Sequence, residues 1–360
     1  MAKQADDILI VGGYGSVGRH LAAWLAPVFP DRLVIAGRRL DAARAAAQAV
    51  GYGCRARALD LAQPPADADL GEVGQVVVCV DQVDTAFARL CLTKGIDYLD
   101  ITASLEWLQR LTAFDELARE TGASGLISLG TTPGLTNQMG AWIAGHADGA
   151  HRLDLLVEFG TGETHGDAAL DWMFDHLNDR FEVREEGRWR TVRGFGEKRR
   201  FRGNGKRGRW GYRFNLPDQQ ILATDLAIPT VGTWVRFSST PLTALIALTT
   251  RLGVVRLLKW PLARRWVKRG FSQLAYGSDC CTLVAESRSA IGQRQWLVLS
   301  ARQETRLTAA VAAASLVWLR TRGLPGGVHH LHQVLTLDDL LPQLRQWLPD
   351  LELDSSVPGT

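Results

Sequence analysis

The sequence predicts an α/β fold class: a doubly wound parallel sheet followed by a second, α+β domain. Three observations lead there. An apolar run stops at closely spaced glycines in ILIVGGYGSVGRHLAAWLA, residues 8–26. Short β-branched runs then alternate with amphipathic runs as far as Gly130. From about Ala150 the rhythm changes to strand-like alternation. Strands alternating with helices close into a parallel sheet with helices on both faces, because right-handed crossovers leave no other compact arrangement.

Ile8 to Val11 reads as a short, fully buried strand. Gly13, Gly15 and Gly18 then fit GxGxxG. Gly13 is assigned the tight strand-to-helix turn, Gly15 the close approach of backbone to a pyrophosphate, and Gly18 the close packing of helix on sheet. With Tyr14, Ser16 and Val17 they form the start of a helix whose free N–H groups and dipole attract phosphate. That helix runs on through Arg19 to Ala26 and is stopped by Pro27 and Pro30. Arg32 to Ala36 is the second strand and completes a βαβ unit of the Rossmann type.

The end of the second strand reads the coenzyme. NAD-binding units carry an acid about 20 residues beyond the glycines. Here that position holds Arg38, followed by Arg39, with no carboxylate beside them. Two guanidinium groups attract a 2′-phosphate, so the expected cofactor is NADP(H). Further strands are expected at Cys54–Leu61, Gly74–Val80, Asp97–Thr102 and Ser124–Gly130. Helices are expected at Thr85–Gly95 and Leu108–Gly122. Ligands bind beyond the carboxyl ends of such strands. On that rule Asp60 faces the adenine region, Cys79 and Val80 the nicotinamide ribose, and Asp100, Thr131 and Thr132 the reacting end. Asp100 is either a helix N-cap or a catalytic acid.

Composition bounds the rest. The chain has 360 residues, 46% of them apolar and 22% charged, with a net charge of +3. That is enough for about two domains with a large core, and too little charge to imply nucleic acid. Cys54, Cys79, Cys91, Cys280 and Cys281 form no CxxC pair or metal spacing, so reduced thiols and a cytoplasmic setting are expected, with no metal. Met1 to Asp7 is short and polar, so no signal peptide is expected, and the most apolar long stretch, from Pro241, is broken by Arg251 and Arg256. An integral membrane protein is therefore not expected.

GGYGSVGR, AGRR, VDQVDTAFARLCLTKGIDYLDIT and SLGTTPGLTNQMGAW together resemble the saccharopine dehydrogenase-like family. YLDIT and PGLTN (Pro133–Asn137) are the more specific signals. The resemblance covers residues 8 to about 145 and echoes at Leu307–His330. It implies an N-terminal NAD(P)-binding domain at 1–133, a substrate domain at 134–304, and a C-terminal segment, 305–360, that returns to the first domain. In PGLTN, Pro133 ends a strand, Gly134 permits a turn, and Thr136 or Asn137 caps the next helix.

In the middle of the chain HRLDLLVEFG and FEVREEGRWRTVRGF read as antiparallel strands, and Cys280–Gln303 as a hairpin turning at Ala290–Gly292. A homodimer through this domain is among the expectations. Between Arg180 and Arg213 there are 13 Lys/Arg against four acids, which fits charged strand edges, a surface for an anionic or carrier-bound substrate, or a nucleic-acid groove. Arg251–Phe271 has seven Lys/Arg and no acid, and reads as helices over a pocket or as a membrane-surface segment. Leu307 to Leu319 is an Ala-rich buried helix ending at Gly323. His165 is the candidate proton donor, and Arg209 and Arg213 are candidates for holding a substrate anion. His329, His330 and His332 alternate on a strand and do not converge on a metal. The resemblance implies hydride transfer from NADPH to a C=N bond formed between an amine and a keto acid. An enoyl reductase acting on a lipid-like or carrier-bound chain is the alternative, and an NADP-binding scaffold without chemistry the third reading.

Overall fold

The computed structural model describes residues 6–162, 173–203, 205–260, 262, 264–267 and 277–357. The chain divides into two compact units, residues 1–135 with 305–348 and residues 136–304 with 349–360.

The first unit is built on seven parallel strands: β1 (Asp7–Val11), β2 (Leu33–Gly37), β3 (Arg55–Ala58), β4 (Val73–Val78), β5 (Asp97–Asp100), β6 (Ser124–Ile127) and, from the chain's last third, β15 (Gly327–His330). Their order across the sheet is β15-β6-β5-β4-β1-β2-β3. The strand order reverses between β1 and β4, which opens a crevice at their carboxyl ends. β1 and β2 are buried along their whole length, which explains their unbroken apolar runs. β3 is the edge strand; Arg55 and Ala58 at its ends are exposed, Ala56 and Arg57 between them are partly buried, and it is shorter than the Cys54–Leu61 its sequence implies. Ser128, at φ 58°, ends β6 before the expected Gly130.

Helix α1 (Ser16–Leu25) buries Gly18, Leu21, Ala22 and Leu25, one stripe of a 3.6-residue period. α2 (Leu40–Val50) buries Ala43 and Ala47. α3 spans Ala86–Thr93. The single helix expected over Leu108–Gly122 is two, α4 (Leu105–Thr112) and α5 (Asp115–Thr121). The break places Asp115 at a helix start, where its carboxylate accepts from the Val328 N–H of β15 at 2.9 Å. The helix Glu304–Arg322 is buried from Leu307 to Leu316 and at Leu319. Its end is anchored by Arg320, which donates to Gln75 at 3.0 Å and lies over Phe29.

The second unit begins with α6 (Leu135–Gly145) and contains a mixed seven-stranded sheet. Its strands are β7 (Ala150–Phe159), β10 (Lys198–Gly203), β11 (Gly205–Arg213), β12 (Thr230–Phe237), β13 (Cys280–Ser289), β14 (Arg294–Arg302) and β16 (Glu352–Ser355). The order is β10-β11-β12-β7-β13-β14-β16. A separate hairpin joins β8 (Arg180–Glu185) to β9 (Arg188–Arg193). β7 is central, parallel to β12 and antiparallel to β13, so it is not the simple antiparallel strand its alternation implied. The segment 305–360 is divided: residues 305–348 belong to the first unit and residues 349–360 to the second, where β16 pairs with β14.

One face of this sheet carries Leu156, Phe201, Trp234, Val284 and Val298 as its apolar centre. Charged residues flank that centre. Asp154 meets Arg152 at 2.7 Å and Arg199 at 3.0 Å, and Glu158 meets Arg236 at 3.1 Å and also Arg209. Arg199 and Arg209 of the basic stretch 180–213 are therefore paired with acids from strands outside it.

Candidate functional site

The crevice between β1 and β4 is the candidate coenzyme site. α1 begins beside it without a side-chain cap and with no acid in its first turn. An uncapped helix start presents orphan N–H donors and the positive end of the dipole, the features an anion requires.

Each glycine of the turn has a distinct constraint. Gly12, at φ +79°, takes the left-handed conformation, and a Cβ there would meet Val80 at 2.5 Å. The positive-φ turn assigned to Gly13 therefore falls one residue earlier. Gly13 is needed because a Cβ would press on Ile35 at 2.9 Å. A Cβ on Gly18 would lie 2.4 Å from the Gly12 carbonyl oxygen and 2.6 Å from Gly13 Cα, so the helix packs directly on the loop backbone. Gly15 differs from all of these. Its φ of −75° suits any residue, and a Cβ would meet a single atom, the Gly12 oxygen at 3.1 Å. Among the described residues the demand for glycine there is slight, a shift of a few tenths of an ångström at the Gly12 oxygen, whereas a ligand approaching the backbone would require it.

A cavity of about 370 Å³ opens at this point, lined by Gly12, Tyr14, Gly15, Arg38, Asp60 and Val80 among others. Tyr14 lies across Gly37, where a Cβ would clash with its ring at 2.5 Å. The Tyr14 hydroxyl accepts from the Arg39 N–H at 3.3 Å, and the Arg39 guanidinium sits 5.5 Å from the ring centroid. Arg38 and Arg39 are both exposed at the end of β2. Asp60 accepts from the Ala62 N–H at 3.2 Å, fixing the loop after β3. The cavity thus brings together Tyr14, Gly15, Arg38, Asp60 and Val80, with Ser16 and Val17 at the helix start and Arg39 against Tyr14. An uncapped helix start, an open approach over Gly15 and two exposed arginines fit a phosphorylated dinucleotide.

Asp100 ends β5 and is wholly buried. One oxygen accepts from Tyr98 Oη at 2.8 Å, Trp107 Nε1 at 2.9 Å and Gln82 Nε2 at 3.0 Å. The other accepts from the Thr102 N–H at 2.8 Å. Four donors converge on it, so a carboxyl proton would face donors only. Asp100 is therefore an anchor that accepts from these donors rather than the proton donor considered above, and it is not a helix cap, since Ser104 caps α4. Its charge acts on neighbours. Burial and Asp100 push the Cys79 thiol up to about 12, and desolvation and Asp100 raise Asp81 above the ordinary carboxyl range. Tyr98, Gln82 and Trp107, which hold this anchor, were not legible in the sequence.

The loop after β6 is fixed by its own backbone. Gly134, at φ +144°, could not carry a side chain, because a Cβ would lie 2.2 Å from the Gly130 oxygen. Thr131 is buried, and its N–H and hydroxyl both meet the Thr308 hydroxyl, at 3.1 and 2.9 Å. That engagement ties the loop to the helix Glu304–Arg322 and takes Thr131 away from a substrate role; Thr132 is partly exposed. Thr136 does not cap α6 through its hydroxyl, which meets Asp218. Asn137 is fully buried with neither amide atom bonded. His330 meets Ser128 at 2.8 Å and His329 meets the Pro325 carbonyl at 3.3 Å.

In the second unit a larger cavity, about 1190 Å³, is lined by Glu158, Arg209, Trp210, Tyr212, Arg236 and a set of serine and threonine hydroxyls. Arg209 faces it while paired with Glu158. Arg213 does not line it. Its side chain is 2% exposed, meets Glu197 at 3.0 Å and stacks on Trp234, so it is a structural cation rather than a ligand for substrate. His165 lies outside the described residues.

Residues 8–126 match the family described as "Saccharopine dehydrogenase NADP binding domain". Among solved structures the chain resembles apo histidine-tagged saccharopine dehydrogenase (L-Glu forming) from Saccharomyces cerevisiae, at 12% identity and a TM-score of 0.69, covering 98% of this chain and 100% of that one. It also resembles a mutant meso-dapdh with DAP from Clostridium tetani E88, at 12% identity and a TM-score of 0.47, covering 95% and 99%. No curated protein is similar enough in sequence to match. The first of these structures shares the fold of both units.

Proposed function

We propose, from the premise that residues 8–126 form an NADP-binding domain of the saccharopine dehydrogenase type, that this chain is an NADPH-dependent oxidoreductase acting on a C=N bond between an amine and a keto acid. The observation that carries the coenzyme reading is the uncapped start of α1, open over Gly15 and flanked by Arg38 and Arg39. Gly13 to Gly18 would hold the diphosphate, Arg38 and Arg39 the 2′-phosphate, Asp60 the adenosine end, and Cys79 and Val80 the nicotinamide ribose. The bound nicotinamide supplies the hydride. The protein's part is to orient the ligands, exclude water and deliver a proton beside the nitrogen. His165 is the proposed donor and Arg209 the proposed partner for a substrate carboxylate; Thr132 is the remaining candidate at the loop after β6.

Coenzyme choice is tested by fluorescence titration of NADPH against NADH. Tighter binding of NADPH, lost selectively in Arg38→Ala with Arg39→Ala, is the expected result; tighter binding of NADH overturns the reading of β2. Substrate class is tested by NADPH oxidation with amine and keto-acid pairs against enoyl thioesters. Turnover of enoyl thioesters alone would replace C=N by C=C, a second reading favoured by the exposed apolar surface described next. Tight NADPH binding without turnover in either set would leave a coenzyme-binding scaffold.

A further inference from the structure

The helix Thr240–Arg251 packs with its polarity inverted. It buries Thr243, Ile246 and Thr250, and it exposes Leu245 and Leu248, a stripe continued by Leu252 just beyond its end. A surface helix normally does the reverse. Further along the chain Trp260, 68% exposed, Leu262, 73%, and Trp266, 69%, also face outward. Of the sixteen large apolar side chains exposed among the described residues, nine fall between Leu245 and Val267. Scattered exposed leucines need no explanation, but their concentration in one segment marks a surface that meets something apolar.

Charge decides what that is. Residues 251–271 contain seven Lys/Arg and no acid. Arg251 and Arg265 are exposed beside the apolar stripe, while Arg264 is engaged by Asp175 at 2.7 and 3.0 Å. A second copy meeting this face across a two-fold axis would set cation against cation. An anionic lipid surface offers acyl chains to the leucines, headgroup charge to the arginines, and the boundary between them to tryptophan. No described helix is long and apolar enough to cross a membrane, so the contact is with its surface. We infer that the helix Thr240–Arg251, with the exposed residues that follow it to Trp266, docks the protein reversibly on an anionic lipid bilayer.

The inference goes beyond the coenzyme reading and is tested apart from it. The full chain is floated with phosphatidylcholine vesicles, with or without phosphatidylserine, at low salt and at about 1 M NaCl, where the screening length falls to about 3 Å. At least about tenfold stronger partition onto the phosphatidylserine vesicles at low salt is expected, weakened at high salt. Leu248→Asp with Trp260→Asp should abolish flotation while NADPH affinity stays unchanged, which separates loss of docking from loss of fold. Leu248→Phe should float like the unaltered protein. Equal partition onto neutral vesicles, flotation of the double-Asp variant, or no flotation with a concentration-dependent dimer dispersed by Leu248→Asp, would each overturn the inference.

Discussion

Gly15 and Gly18 occupy the same motif, yet the structure predicts opposite consequences for adding one methyl group to each. At Gly18 the new Cβ would lie 2.4 Å from the Gly12 oxygen and 2.6 Å from Gly13 Cα, both backbone atoms that cannot swing aside. Overpacking of this kind costs about 1–3 kcal/mol. In a unit of this size each kcal/mol lowers Tm by about 2–4 °C. At Gly15 the Cβ meets one atom at 3.1 Å and φ is already −75°. Losing the glycine cap costs up to about 1 kcal/mol and restricting the unfolded chain returns about 0.4–1, so the net change in stability is small. What the methyl occupies is the approach to the uncapped start of α1. Loss of one or two charge-assisted hydrogen bonds there, at about 1.5–3 kcal/mol each, predicts NADPH binding weaker by at least about tenfold. Gly15→Ala should therefore show near-native Tm and greatly weakened binding in a fluorescence titration, and Gly18→Ala a lowered Tm. Gly15→Ala binding NADPH within about threefold of the unaltered protein would refute the placement of the diphosphate.

Three further outcomes follow from the electrostatics. Asp100→Asn replaces an acceptor with an NH₂ among donors from Tyr98, Gln82, Trp107 and Thr102, and thermal unfolding should show a loss of about 1–3 kcal/mol; an unchanged Tm would mean those bonds are not formed. With the Cys79 thiol at about 12, about one part in 10⁴ is thiolate at pH 8, so mass spectrometry should find Cys79 alkylated on the order of a thousandfold more slowly than a free thiol, and rapid labelling would contradict its setting. Desolvation works to raise Glu197, but Arg190 and Arg213 outweigh it and hold the carboxyl below its usual 4.5. A depressed carboxyl contributes its stability above the unfolded value and loses it as pH falls through the folded one. Acid denaturation below about pH 4.5 should therefore be less steep in Glu197→Gln, and parallel curves would show that the pairing contributes nothing.

The parallel sheet was legible because its signals are local. β1 and β2 are buried on both faces and so read as unbroken apolar runs, and α1 repeats its buried residues at helical spacing. The glycine motif and the two arginines were legible for the same reason: a tight turn and the residues at a strand end are specified within about 30 positions of chain. The role of each glycine was less so, since part of the constraint at Gly12 is the side chain of Val80, just beyond β4, which a Cβ would meet.

What the sequence by itself determined is the fold class of the first unit, the glycine-rich turn between β1 and α1 and the pair of arginines after β2, all set by residues close together in the chain. What only the tertiary structure decided is which charges are spent inside the protein and which apolar groups are left outside it. Arg213 looked free until β12 brought Trp234 beneath it and Glu197 was found at its side, and Asp100 looked like an acid until Tyr98, Gln82 and Trp107 surrounded it. In the helix Thr240–Arg251 it is Thr243, Ile246 and Thr250 that are buried, while Leu245 and Leu248 are left outside. A side chain's partners lie far along the chain, and its charge, exposure and reactivity are properties of those partners.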